Sequence, residues 1–402
     1  MSTRSTSIRS SPRSSTCPCR PSISLSEAIG SSFERALEKM FIYSVEASVN
    51  LDRGMELSSL LHESTRRWYR RQATTHNSIT WPLPSELTVK VFSMADTKSL
   101  VNASASCTMF KKYAVEQFCY SNVDLTTANV KSKVVPDMIL KAGKELRSLK
   151  VGCPDESTTP LLKASCLAPL SYKKHGVLGN LLGSLHIYNH GGLNSKSLCG
   201  PLSVCSNLTD LKIVGLNFDT LADVVDSLTT KCQPLFLQRD NGAWNFINAS
   251  LFQSNCPNLT SLSLIGFYIQ DLEVYKLLMG LRKLKYMDLS KTTAFEGRFL
   301  RNVSHEFKDA LIETLILRDS FLLSKRMVRR FLDSLLTAGR LRFIRHIDVS
   351  NDYGLCCGQG RCKKLKFPLE ELKVKRPGLT FVAADFPTSS SSDSSSSESS
   401  SN

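Results

Sequence analysis

No stretch of this 402-residue chain is apolar for long enough to span a bilayer. No secretory leader is expected either, because the first residues are polar and no apolar central region follows them. The patterns that carry catalysis are missing: no Gly-rich phosphate loop ending in Lys-Ser/Thr, no Gly-x-Ser-x-Gly and no His-Glu-x-x-His. Acid is absent from the first residues, where Arg4, Arg9, Arg13 and Arg20 stand among serines and no carboxylate precedes Glu27. Cysteine is plentiful at thirteen, but the thiols are scattered and odd in number, which excludes a disulfide framework and points to a reducing compartment, nucleus or cytosol. Cys17-x-Cys19 has no second ligand pair, and Cys356-Cys357 with Cys362 and His346 fits no standard zinc spacing. A membrane partner, a metal, a cofactor and a catalytic activity of the chain by itself are therefore not expected.

A hydrophobic content of 42% supports a sizeable core, and the length leaves room for two domains plus tails. Residues 1–25 have the Ser/Arg-rich composition of disorder and also meet the loose description of an organelle transit segment. Residues 26–80 read as a helical segment with a break at 50–54, ending in a polar linker from Gln72. The cluster Arg66-Arg67-Trp68-Tyr69-Arg70-Arg71 suits either a helix end or an import or nucleic-acid contact. Residues 387–402 are almost pure serine with Asp393 and Glu398, and cannot form a core. Phosphorylated, that tail would be strongly anionic and could fold back on the basic end of the chain. From Arg318 to Arg376 there are fifteen Lys or Arg against six Asp or Glu, which is +9 of the net +15. Such an end favours an acidic partner, although a solvated basic face explains it equally.

One stretch organises the first half. Leu83-Pro84-Ser85-Glu86 is a helix start, and Leu87, Val91 and Met94 recur at helical spacing with Phe92 beside them. Asp96 or Thr97 can cap a second helix carrying Leu100, Ala103 and Cys107, and a third begins near Thr108 with Phe110, Ala114, Val115 and Phe118. Three short helices cannot enclose a core alone. Residues 81–125 resemble the F-box, through Leu83, Pro84, Glu86, Leu87, Val91, Phe92, Leu100, Cys107 and Val123-Asp124-Leu125. Phe110 stands where the family usually has tryptophan. The resemblance implies a Skp1-like adaptor as partner, held by Leu83, Pro84, Leu87, Val91, Phe92, Leu100, Cys107 and Phe110, and through it a cullin-RING ubiquitin ligase.

From Glu145 the phrase Leu-x-x-Leu-x-Leu recurs, with starts at Leu146, Leu182, Leu208, Leu259, Leu284, Ile312, Ile344 and Leu369. The separations are 36, 26, 51, 25, 28, 32 and 25 residues. The gap of 51 is twice the period, and a degraded copy is expected at Leu235-Phe236-Leu237. This is the period of a leucine-rich repeat, covering residues 145–380 in about nine units. Cys205-Ser206-Asn207-Leu208 and Cys256-Pro257-Asn258-Leu259 resemble the cysteine-containing repeat class. The expected fold is therefore α/β: an N-terminal helical F-box, then a curved solenoid with parallel strands on its concave face and helices outside. Helices are expected at 218–228, 271–281 and 325–336, and the last strand at Leu369–Val374.

Alternate strand residues point outward onto the concave face. Of these, His186, Tyr188, Lys212, Tyr286, Asp288, Arg318, His346 and Asp348 are the expected contacts to a target protein. Glu371 and Lys373 take the same positions in the last copy. The combined reading is a substrate-recognition subunit of an SCF-type ligase. The alternative is a non-catalytic repeat scaffold, nuclear and associated with nucleic acid, although nucleic acid is the less expected partner.

Overall fold

A computed structural model describes residues 32, 34–36, 38–39, 42, 47–126, 130, 133–154, 163–171, 178–193, 195–216, 221–239, 247–301, 310–338, 341–352, 354–356 and 366–383. The two expected tails, the Cys17-x-Cys19 pair and Cys357 and Cys362 lie outside these residues. The chain divides into two compact units after Ser78.

The first unit holds most of helix α1, Ala47–Thr80. The break expected at 50–54 is not there, and the polar stretch from Gln72 is helical rather than a linker. Gly54 in a helix interior costs about 1 kcal/mol relative to Ala, which good helix formers on both sides can offset. In the polar stretch, hydroxyls turn back onto the helix: Thr74 Oγ1 donates to the Arg70 carbonyl at 2.6 Å and Ser78 Oγ to the Thr75 carbonyl at 2.8 Å.

The second unit begins with three short helices. Helix α2, Ser85–Ser93, starts on Pro84 and carries Glu86 in its first turn. Helix α3, Thr97–Ser106, is capped by Asp96, whose carboxylate accepts the Ser99 amide at 2.9 Å and hydroxyl at 2.6 Å. Helix α4, Thr108–Ala114, is capped by the Cys107 thiol, which accepts the Phe110 amide at 3.3 Å. Phe118 is not on α4 but on the separate 3-10 turn Gln117–Tyr120.

Ten described strands then form one parallel sheet in chain order: β1 Asn122–Asp124, β2 Ser148–Gly152, β3 Ser184–Leu193, β4 Asp210–Leu216, β5 Pro234–Gln238, β6 Ser261–Ile265, β7 Tyr286–Asp288, β8 Thr314–Ile316, β9 His346–Asp348 and β10 Thr380–Val382. The register stacks one apolar residue per strand: Val123, Leu149, Leu185, Leu211, Leu235, Leu262, Met287, Leu315, Ile347 and Phe381. All but Phe381 are buried, and each such side chain contributes about 1.5–3 kcal/mol when fully removed from water. The degraded copy is strand β5, with Leu235 and Leu237 inward. Helices close the other side of the sheet: Leu221–Asp226, Ala249–Asn255, Asp271–Gly280 and Lys325–Ala338 among them. The fold is α/β, a helical module followed by an open leucine-rich-repeat solenoid.

The Cys-x-Asn-Leu phrase has a physical job between repeats. Asn207 donates its amide to the Asn180 carbonyl of the preceding repeat at 2.6 Å and accepts Lys231 of the next at 2.6 Å. Asn258 does the same with the Thr230 carbonyl at 3.0 Å and Lys283 at 2.8 Å. The cysteines sit underneath, and burial pushes the Cys205 thiol up to about 12 and Cys256 up to about 11. Gly152 ends β2 at φ 97°, where a Cβ would stand 1.7 Å from the Tyr188 carbonyl oxygen.

One expectation is overturned at the far end. Leu369–Lys375 is a helix, and the strand that pairs with β9 is Thr380–Val382. Leu369 and Leu372 are three apart, which suits a helix as well as the repeat phrase. Pro368 before them, Glu370 and Glu371 in the first turn and Lys373 and Lys375 in the last decide for the helix. Glu371 and Lys373 are thus exposed helical residues and do not belong to the strand face.

Candidate functional surfaces

The helical module presents two different faces. Thr88 and Phe92 turn inward on α2, while Leu87, Val91 and Met94 recur at spacings of four and three on its outer side and stay exposed at 48%, 42% and 83%. Leu83 and Pro84, just before α2, are also exposed. Phe92, Leu100 and Cys107 are buried in the chain's own core, and Phe110 is half-buried. Phe110 meets Phe92 edge-on at 5.4 Å and Trp81 at 5.1 Å. Trp81 also donates its indole N–H to Thr88 Oγ1 at 2.8 Å. The eight residues expected to hold an adaptor therefore divide into an outer set (Leu83, Pro84, Leu87, Val91) and an inner set that fixes the helices beneath it. Sequence reasoning gives Trp81, the first residue of the F-box-like stretch, no role, yet its ring packs on the inner side of the module beside Phe110. An aromatic directly before Pro82 and an apolar helix is the signal that points to it.

The strand face holds two polar groups. In the first, the register aligns Asp124, Lys150, His186, Lys212 and Phe236 across β1 to β5. His186 Nε2 lies 2.8 Å from Asp210 Oδ2, which also accepts the Ser184 hydroxyl at 2.9 Å. Burial alone would raise the Asp210 pKa, but the hydrogen bonds from His186 and Ser184 outweigh it and hold it below the usual carboxylate range. Lys212 Nζ sits 5.2 Å from the Tyr188 ring centroid and 4.4 Å from that of Phe236. Burial lowers its pKa, opposed by Asp210. Phe236 escapes sequence reasoning because its repeat lacks the first leucine, although the alternation Leu235-Phe236-Leu237 already marks it as outward.

In the second group, the rows are Ser263, Asp288, Ile316 and Asp348, and Ser261, Tyr286, Thr314, His346 and Thr380. Asp348 is buried and receives Arg318 Nε at 2.5 Å. Burial would raise its pKa, but the Ser350 hydroxyl and amide and the Arg318 guanidinium together hold it low. Asp288 accepts the Ser290 amide at 2.9 Å, with the Tyr286 hydroxyl 3.5 Å from its other oxygen. His346 is half-buried in the outer row. Seven of the eight expected target contacts thus lie on strands of one sheet and Arg318 just past β8, in two clusters: His186, Tyr188 and Lys212 on one side, Tyr286, Asp288, Arg318, His346 and Asp348 on the other. Each cluster offers hydrogen-bond donors, acceptors and aromatic surface, which is the chemistry of binding. Among the described residues no group of three His, Cys, Asp or Glu side chains is gathered as metal ligands, and no helix is long and apolar enough to cross a membrane.

Comparison with known proteins finds close relatives. The chain is 47% identical over 381 residues to the F-box protein At4g02760 of Arabidopsis thaliana, covering 90% of this chain and 74% of that protein. It is 48% identical over 354 residues to the F-box protein SKIP17 of the same organism, covering 84% and 73%. Among solved structures, the yeast complex of Rad7 and Elc1 aligns with 12% identity and a TM-score of 0.35, over 84% of this chain and 98% of that one. No family model matches the chain.

Proposed function

The chain belongs to the F-box proteins, and on that premise we propose that it is the substrate-recognition subunit of an SCF-type ubiquitin ligase, docking a Skp1-like adaptor through the outer side of its helical module and a target protein through its strand face. The observation that carries this reading is the apolar stripe of α2. Leu87 and Val91 stay about half exposed while the opposite side of the same helix is packed into the core. A stripe of this kind is poor surface for water and good surface for a partner. Leu83, Pro84, Leu87 and Val91 are the direct contacts in this proposal. Phe92, Leu100, Cys107 and Phe110 hold the helices in place under them.

Catalysis then comes from elsewhere in the complex. The chain's contribution is proximity: it holds a target's lysines near a charged conjugating enzyme carried by the cullin-RING part. The tests of the strand face are Lys212 with Tyr188 and Phe236, and Arg318 with Tyr286, as anchors for a protein or peptide. The compartment proposed is nucleus or cytosol, supported by cysteines such as Cys205, Cys232 and Cys256 that are buried as free thiols.

The decisive measurement is co-purification with a Skp1-like protein. Leu87→Asp/Val91→Asp should lose adaptor recovery by at least about tenfold, with an unchanged melting temperature because both side chains already face water. Phe92→Ala should instead lower stability by about 3–5 kcal/mol. Equal adaptor recovery by the wild type and the folded double variant would overturn the assignment.

A further inference from the structure

At the far end of the solenoid, the turn before β9 and the turn before β10 flank an open basin of about 460 Å³. Its walls include Arg342, Arg345, Lys375 and Arg376 and the Pro377-Gly378 turn, and no carboxylate. The first three side chains are exposed and Arg376 is half-buried. Arg376 is committed to the fold, donating to the Leu341 carbonyl at 3.1 Å and the Leu335 carbonyl at 3.3 Å. Carboxylates in this region pair with cations outside the basin wall: Glu313 with Lys285, Asp348 with Arg318 and Glu370 with Lys373. Three exposed cations and the engaged Arg376 thus share a space roomy enough for a phosphorylated segment, with no carboxylate in its wall, an arrangement that favours an entering anion.

We propose that this basin is a phosphoserine site and that its occupant is the chain's own serine segment, residues 388–402. Three observations select that occupant. The segment is serine throughout apart from Thr388, Asp393, Glu398 and Asn402, so every phosphorylation adds roughly −1.5 to −2 charges to an already anionic stretch. Its tether is short. Strand β10 has three residues and rises about 10 Å, so the chain leaves the sheet about that far from the basin. The residues from Ala383 to Ser392 can span about 30 Å when extended, which covers the return. Arginine, finally, grips phosphate through a planar fork, and the wall carries three arginines beside one lysine. A nucleic-acid strand would call for a longer basic track with stacking aromatics, whereas no aromatic side chain is among the residues that line this space. The proposal does not depend on adaptor docking, because the basin lies at the opposite end of the sheet from the helical module.

The test uses the full chain with phosphoserine installed at Ser392 and Ser394 and a photo-crosslinking residue in place of the exposed Pro377. Phosphorylation should raise the intramolecular cross-link between position 377 and the serine segment at least tenfold. The gain should be independent of protein concentration and fall with added salt. Arg342→Gln/Arg345→Gln/Lys375→Gln should return it to the unphosphorylated level with the melting temperature retained; Arg376 is left intact because its guanidinium holds two carbonyls. Added free doubly phosphorylated peptide 387–402 should compete. Equal cross-linking with and without phosphate, or a triple variant that cross-links as well as the parent, overturns the site. Cross-links only between separate chains, or displacement by single-stranded DNA at lower concentration than by the phosphopeptide, overturn the occupant.

Discussion

Asp124, Asp288 and Asp348 each stand two residues before a hydroxyl, and each accepts the amide and the hydroxyl of that Thr126, Ser290 or Ser350 through a single oxygen. The pattern closes the end of a strand, so these aspartates serve the fold first and leave only the second oxygen for a neighbour. Asp348 shows the consequence for pH. Its folded pKa is lowered, so its contribution to stability is present above the unfolded value of about 3.9 and is lost as pH falls through the lower folded value. Asp348→Asn should cost about 1–3 kcal/mol at neutral pH, the exposed Arg318 adding little of it. The gap between the two proteins in thermal melts should close in acid, and a gap constant down to pH 2 would contradict the account. From sequence, alternation alone marked Asp288 and Asp348 as outward. That both are buried by their own turns follows from Ser290 and Ser350, whose hydroxyls count only once the turn is folded.

At the scale of the element, one phrase gave two structures. Leu-x-x-Leu-x-Leu ends in a strand wherever a following repeat supplies a parallel partner, and the same leucine spacing at Leu369 became a helix under Pro368 and two glutamates. Helix starts were legible because they are local: α2 follows Pro84, Asp96 caps α3 and α4 begins at Thr108, although Cys107 caps α4 instead of lying within α3 as its spacing suggested. The continuity of α1 was not, since the hydroxyls of its polar half turn back onto carbonyls only once the helix exists. Between elements, the Asn of the Cys-x-Asn-Leu phrase bridges repeats in both directions. Asn258→Ala should lower stability by about 1–2 kcal/mol in urea unfolding, and Lys283→Ala, which removes one bond at the surface, by under about 1 kcal/mol. A Lys283 variant as costly as the Asn258 variant would show that the ion-dipole contact, not the amide-carbonyl bond, joins the repeats.

Across the whole second unit, one hydrophobic core runs from Phe92 in the helical module to Leu372 near the last strand. The module is not an appendage: β1, which follows it, pairs with β2, and Thr97 of α3 accepts the Asp124 amide at 2.9 Å. In a solenoid each unit is stabilised by its neighbours, so damage should be felt locally. Leu149→Ala in β2 should cost about 2–5 kcal/mol and loosen the amides of α2 to α4 in hydrogen exchange, while Ile347→Ala in β9 should leave them protected. Equal loss in both, or in neither, would refute nearest-neighbour coupling. By itself the sequence determined the period, the inward ladder of leucines and the three capped helices, because each depends on spacing within a few residues. Only the tertiary structure decided which side of the module is spent in the core and which faces water, how eight scattered outward residues fall into two clusters, and that four cations from two turns thirty residues apart share one basin. Those are relations between segments brought together by packing, and no local pattern encodes the register that joins them.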